Sequence, residues 1–490
     1  MGTMRFQVFP PERITPEVAQ QAYMSGIDRI PWAIKTTLDN GLLSVQRPTS
    51  DSGRLHLPWP VAKRGLVTLN TASLMEQEET YRLPLELARG TIVELRNQLA
   101  DWQTIGLAVP ESVLAKLALA VGELSWATVA DELAEVSQRA EKAIAAALDA
   151  SDRLTAAYSE QALAVRRRNG SKAFLGLGAN LGPALLDAYA SRQFLLTFNS
   201  AQAPVPWRDV ETTEGNFTWT TSDKQIEWCR AHQLKVLAGP LLMLDRHALP
   251  DWLYLFEDDF ENMAHLVLTF VRAAVQRYRG QVDCWICAGR VNAPDALGVS
   301  EPERVRLVAG TIELVRSLDP NTPAMVSFDQ PWCEYLRQQH SDFPPLHFAD
   351  ALLRAGLDLS GFVLEVNIGT SPGATLPRST LEFSRQLDNW SKLGLPLWLS
   401  LSAPSGIDPD PLAQRASELP TSSWTATIQQ SWVARVVPLA LSKPMVRGVL
   451  WNQLSDGVPH DFPNAGLFDR NGKVKPILGT LAAIRQMCAR

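Results

Sequence analysis

The sequence predicts an α/β protein: a (β/α)8 TIM barrel preceded by a small β-sandwich-like domain and a helical segment. Three observations predict it. Residues 1–90 carry short alternating segments broken by Pro and Gly, the pattern of a small sandwich or jelly roll. Residues 91–168 change to a helical period. From 169 to 490, eight strand-like segments alternate with amphipathic stretches or long loops, which is the arithmetic of a barrel. The chain is 490 residues long and 46% hydrophobic, enough to fill cores of that size.

The elements follow in order. RFQVF, GLLSVQRP, GRLHLPWPV, GLVTLNTASL and TYRLPLELA read as strands of the first domain. RGTIVELRNQLADWQ opens a helix, and PESVLAKLALAVGEL is a second with Pro at its start. A third, long helix is predicted from SWATVADEL to AVRRR, with Val129, Leu133, Val136, Ala140 and Ile144 on one packing stripe. Helical hairpins of this kind brace domains or make contacts between copies, so a homo-oligomer through this region is an expectation. RNGSK, residues 168–172, reads as a polar hinge. The barrel strands predicted after it are AFLGLGAN, FLLTFNS, LKVLAGPLL, VDCWICAGRVN, PAMVSFDQ, GFVLEVNIG, LPLWLSLSA and RGVLWNQ.

Composition excludes several functions. Net charge is -6, and the one basic cluster, Arg166 to Arg168, complements a helix C-terminus, so no nucleic acid is expected. No apolar run reaches membrane-span length, and the start MGTMRFQVFPPER lacks a signal-peptide pattern, so a cytoplasmic protein without a membrane partner is expected. The five cysteines have no disulfide-framework spacing. Cys284 and Cys287 form a CxxC inside a strand, where alternation sends them to opposite faces; no second ligand pair exists, so neither metal nor cofactor is expected.

The barrel segment resembles glycoside hydrolase family 10, the endo-xylanase family. FNSAQAPVPWRDVETTEGNFTW is similar to the family's F-N-S, E-N-x-x-K-W and E-P-x-x-G-x-F-x-F series. DKQIEWCRAHQLKVLAGPLLMLDRHALPDWL follows its next helix and strand up to L-P-x-W, and GVLWNQLSDGVPHDFPNAGLFDRNGKVKPIL resembles its closing W-G-x-x-D and L-F-D-x-x-x-x-x-K-P. The resemblance implies retaining hydrolysis by two carboxyl groups about 5–5.5 Å apart. It departs where the chemistry sits. The family's acid, in W-D-x-x-N-E, falls on Arg290, and its nucleophile, after G-L-P, falls on Leu401. Arginine stays protonated and only donates, and leucine has no nucleophile. Of the E-N-x-x-K-W motif only Trp207 remains, and G-H-x-x-x-W-H is GPLLMLD, ending in Asp245.

The strand ends instead offer a new polar set, and polar groups at a barrel mouth are costly unless they are bonded. Strand four ends in Arg290 and Asn292. Strand five ends in Asp329, Gln330, Trp332 and Glu334, strand six in Glu365 and Asn367, and strand eight in Trp451 and Asn452, with His460 beyond. Alternation along GFVLEV puts Val363, Glu365 and Asn367 on one face. Glu365 then reads either as a carboxylate raised by desolvation or as an ion-pair partner of Arg290. Asp329 or Glu334 could complete an acid–nucleophile pair with it; each could equally cap a loop or helix. His460 could act on a sugar hydroxyl or simply bond its loop, and Trp332 and Trp451 could stack on a sugar or pack the core. Arg290 with Asn292 reads as a fork for an anionic or hydroxyl-rich group; for an acidic oligosaccharide, Arg290 would be the anchor. Two functions follow first: a family-10-like glycoside hydrolase with a relocated carboxylate pair, or a catalytically silent carbohydrate-binding barrel. A scaffold driven by its helices is the third. A carboxyl pair facing across an open cleft would support hydrolysis; Glu365 locked onto Arg290 would support binding.

Overall fold

The computed structural model describes residues 2–168, 175–293, 296–337, 343–370, 375–418 and 424–489. The first domain holds two four-stranded sheets. One runs Lys35–Asp39, Leu42–Arg47, Gly2–Gln7 and Tyr81–Arg82 in spatial order; the other runs Pro31–Trp32, Tyr23–Ser25, Arg54–Val61 and Gly65–Asn70. Alternating inward residues of both sheets, such as Phe6, Val45, Leu57 and Trp59, meet in one hydrophobic cluster. That cluster also takes in Leu87, Ala140, Ile144 and Leu154 from the following helices.

Those helices are Leu83–Thr104, Glu111–Val129 and Leu133–Arg168. Two expectations change here. TYRLPLELA is strand only at Tyr81–Arg82; Pro84, in the first turn, favours a helix start, and the helix takes Leu83 onward. The predicted long helix is broken before Leu133, so Val129 closes the preceding helix and lies exposed, while Val136, Ala140 and Ile144 are buried. Of RNGSK, Arg168 ends a helix and 169–172 lie outside the described residues.

The barrel is a closed ring of eight parallel strands: Gly176–Asn180, Ser200–Ala203, Lys235–Ala238, Cys284–Gly289, Ala324–Asp329, Gly361–Asn367, Leu397–Ser402 and Val446–Trp451. Strand eight closes on strand one, and Leu242–Met243 continues the third strand's path beside the fourth. FLLTFNS is a correction: Phe194–Thr197 ends a helix, and the second strand begins at Ser200. Short apolar runs do not distinguish helix from strand by period alone. The barrel interior is filled by Leu237, Cys284, Ile286, Met325, Val363 and Leu450 around Trp398, while the alternate residues pack outward against the helices. Cys284 and Cys287 thus fall on opposite faces, both buried, and burial pushes the Cys287 thiol up to about 12.

Candidate functional site

Period-two alternation delivers the site. Above the apolar filling, Ser327, Glu365, Ser400 and Asn452 follow Met325, Val363, Trp398 and Leu450 two residues later and line a cavity of about 380 Å³ at the strands' C-terminal ends. Asn180, Gln202, Arg290, His460 and Asp461 also line it, facing a wall that includes Leu181, Val205, Met243 and Phe462.

Arg290 follows the fourth strand at φ 53°, a conformation that non-glycine residues enter at some cost. Its Nη1 donates to Asp245 Oδ2 at 2.9 Å and to Asp461 Oδ2 at 2.7 Å, and its Nε donates to Glu365 Oε2 at 3.2 Å. The guanidinium also lies over the Phe462 ring, 5.3 Å from its centroid. Burial alone would favour the neutral form of Arg290, but the charges of Asp461, Glu365 and Asp245 outweigh it and hold the proton on. Arg415, from the loop after strand seven, is a second cation on Asp245. Burial pushes Asp245 up; Arg290 and Arg415 overcome this and hold its carboxyl below the usual range.

Glu365 is 5% exposed, and both its oxygens are engaged. Ser327 Oγ donates to Oε1 at 2.7 Å; Arg290, Asn367 at 3.2 Å and Asn452 at 3.4 Å donate to Oε2. Asp329 is in register with Glu365 on the neighbouring strand. Asn367 Nδ2 reaches Asp329 Oδ1 at 3.3 Å as well as Glu365, so one amide bridges the two carboxyl groups. Burial, and then the charge of Glu365, push Asp329 up to about 7 against the pull of Arg290 and Arg415. Asp329 does not line the cavity; Asn292 grips its backbone from behind, donating to its carbonyl at 2.8 Å and accepting from its N–H at 3.1 Å.

The structure therefore joins Arg290, Asp245, Glu365, Asn367, Asn452 and Asp329 in one network. His460 sits at the cavity edge, its Nδ1 donating to the Val458 carbonyl at 2.7 Å and its Nε2 3.0 Å from Asp410. Trp207 contributes to the wall, but its ring is stacked on Phe270 and its Nε1 donates to Glu211 at 2.7 Å, so it is no free platform. Trp451 is core, donating to the Ala465 carbonyl at 2.8 Å. Gln330 is buried beside Asp329 at φ 48° and does not line the cavity. Glu334 and Trp332 belong to another place, where Glu334 accepts from Arg378 at 2.9 Å and Trp332 lies under the same guanidinium. The chain after strand five turns towards the first domain and carries them away from the cavity.

Leu401 packs away from the barrel interior. Leu397, Leu399 and Leu401 face the outer core, so the inward positions at the end of strand seven are Ser400 and Ser402, and neither is a carboxylate. Sequence reasoning missed Ser327, although it shares its strand face with Asp329. It also missed Arg415, whose loop position carries no periodic signal. Asp410, Asp456 and His460 bring possible metal-ligand atoms within 4.8 Å of one another. Lys475 on Asp456 and Arg470 on Asp410 already supply the positive charge there, so this set does not fit a metal.

Comparison with known proteins agrees with the barrel fold. Residues 189–289 match the family model described as Glycosyl hydrolase family 10. The Endo-1,4-beta-xylanase C of Paenibacillus barcinonensis is 29% identical over 119 residues, which covers 22% of this chain and 11% of that protein. Native xylanase 10B from Thermotoga maritima superposes with a TM-score of 0.50 at 16% identity, covering 66% of this chain and 99% of that one. Xylanase B from Clostridium stercorarium F9 gives 0.48 at 17%, covering 65% and 98%.

Proposed function

With a divergent barrel of the glycosyl hydrolase family 10 type as the premise, we propose that this protein binds a short carbohydrate in the cavity at the barrel mouth and does not cleave it by the family's two-carboxylate route. One observation carries the reading: Glu365, a carboxylate that lines the cavity above the barrel filling, is held on both oxygens by Ser327, Arg290, Asn367 and Asn452. A nucleophile needs a free lone pair at the anomeric carbon, and a general acid needs a proton aimed at the leaving oxygen. Four donors already compete for the two oxygens of Glu365, three of them on Oε2, which weakens it in either role. The cavity is within the ~300–1,000 Å³ of typical ligand sites. Its Asn180, Gln202, Asn452 and Gln453 amides suit hydroxyl groups, and its apolar wall suits the C–H face of a sugar ring. Arg290 and Arg415 are matched by Asp245, Asp461 and Glu365, which leaves no surplus positive charge. The ligand is therefore a neutral sugar, in place of the acidic one that an unpaired Arg290 would anchor.

A second reading has one observation in its favour. Asp329, raised to about 7, keeps a proton near neutrality as a general acid does, and it neighbours Glu365. Turnover on a panel of aryl glycosides and oligosaccharides, measured beside Glu365→Gln, separates the two. The binding reading expects no turnover from either protein and a rise in melting temperature of the wild type with its sugar. Turnover that disappears in Glu365→Gln would replace it with the hydrolase.

A further inference from the structure

Resting on the binding reading above, we propose that the carbohydrate held at the barrel mouth carries an apolar group, as an alkyl or aryl glycoside does. The cavity has two chemistries. Its polar side chains include Ser327, Glu365, Asn452, Asn180 and Gln202, all at strand ends. The loops after strands one, two and three supply the other side. Their lining residues fall in the stretches LGPALL at 181–186, PVP at 204–206 and PLLM at 240–243. No side chain in these stretches carries a hydroxyl, an amide or a charge. Strands one, two and three are neighbours in the ring, so the stretches stand side by side as one apolar wall.

A second sugar ring on that wall would press hydroxyl groups against apolar side chains, which is costly when they find no partner. The backbone there offers little instead, because Gln225 already donates to the Gly182 and Ala184 carbonyls at 2.9 and 3.0 Å. The polar layer has also spent part of its capacity on itself. Asn452 donates to Glu365 and Asn367, Asn180 accepts from the Gly182 N–H at 3.0 Å, and Gln202 donates to the Gly239 carbonyl at 3.0 Å. A hydroxyl that exchanges water for such groups gains little, so the sugar end sets the orientation and the apolar end supplies most of the affinity. Aromatic rings in the cavity wall are in use already: Arg290 lies over Phe462, and Trp207 stacks on Phe270. Leu185 lines the cavity while 49% exposed, and Tyr189, 51% exposed, meets the wall residue Phe468 edge-on. The apolar side therefore runs out to solvent, and chains of different length fit along it.

Calorimetry of the full chain tests this with methyl, butyl, hexyl and octyl β-D-glucosides and β-D-xylosides below their micellar concentrations, beside cellobiose and xylobiose. Affinity is expected to rise about fourfold with each methylene that the wall covers. An octyl ether of oligoethylene glycol, the same chain without a sugar, is expected to bind about tenfold more weakly than the octyl glycoside or worse. Leu185→Asp and Met243→Gln each place a polar group on the wall and should lower the octyl-to-methyl affinity ratio, the first by about tenfold. Leu185 is half exposed, so the melting temperature of its ligand-free variant should stay near that of the wild type, which separates a lost wall from lost folding. Disaccharides that bind as tightly as the octyl glycosides, or a ratio unchanged in both variants, would overturn the inference and leave the carbohydrate reading standing. An octyl ether that binds as tightly as the octyl glycosides, or a failure of every glycoside and disaccharide to bind, would overturn both.

Discussion

Arg290 follows the fourth strand and lies buried at the barrel mouth. Three carboxylates converge on one guanidinium, and a second arginine shares two of them. Removing one member of such a buried set leaves a charge without its partner, so the members hold one another in place. Asp329 is the member whose proton is poised to move. Its folded value of about 7 lies above the unfolded 3.8, so between those values the native state holds a proton that the unfolded state has released. Its contribution to stability is full below about pH 4 and is lost as pH rises towards 7, by at most about 4 kcal/mol. Asp329→Asn should remove that slope and be more stable than the wild type above neutrality, because the uncharged amide keeps the same shape. Urea unfolding at about pH 5 and about pH 8 measures it; a slope unchanged in the variant would place the titrating group elsewhere. Glu365 and its inward direction were legible in the sequence because alternation in GFVLEV is strict. Arg415 was not, because a loop residue's partner is set by tertiary path rather than by period.

The strands show how far pattern reading extends. Six of the predicted barrel segments contain their observed strands, and RGVLWNQ misses only Val446, because each is a β-branched or apolar run that ends in polar residues. FLLTFNS failed because four apolar or β-branched residues suit the last turn of an amphipathic helix equally well. Packing inside the ring was invisible for a different reason: it depends on which residues meet across the barrel. Trp398 fills the interior where glycines face it, and a Cβ at Gly448 would come within 2.3 Å of its ring, at Gly176 within 2.1 Å. A large side chain opposite small ones is a matched set. Gly448→Ala should therefore cost about 1–3 kcal/mol by overpacking, read as a lower urea midpoint at unchanged slope. Trp398→Phe in the same chain should recover part of the loss; a lone Gly448→Ala with wild-type stability would mean that the indole has room to move.

At the scale of the molecule, the joint between the first domain and the barrel explains why Glu334 and Trp332 lie away from the cavity. Glu334 is fully buried, and its Oε1 accepts from Arg378 and from the Leu376 N–H. Arg378 donates in turn to the Tyr23 hydroxyl of the first domain at 2.9 Å, and Tyr23 stacks on His56. Arg29 reaches across the same joint to Glu382 at 2.7 Å and to Glu94 at 2.8 Å, and Asp152 on helix Leu133–Arg168 binds both Arg64 of the first domain and Arg435 of the barrel. Polar strand-end residues predict a ligand site only where the barrel mouth is open. Here the first domain and its helix cover part of the rim, and the same residue types become a lock between domains. Glu334→Gln tests the distinction. It leaves the Arg378 cation buried without its carboxylate, which should cost about 3–5 kcal/mol in urea unfolding. Because Glu334 does not line the cavity, the variant that still folds should keep the wild type's ligand-induced rise in melting temperature. Loss of ligand response at unchanged stability would return Glu334 to the site, and the chain after strand five would then have to reach the barrel mouth in the working protein.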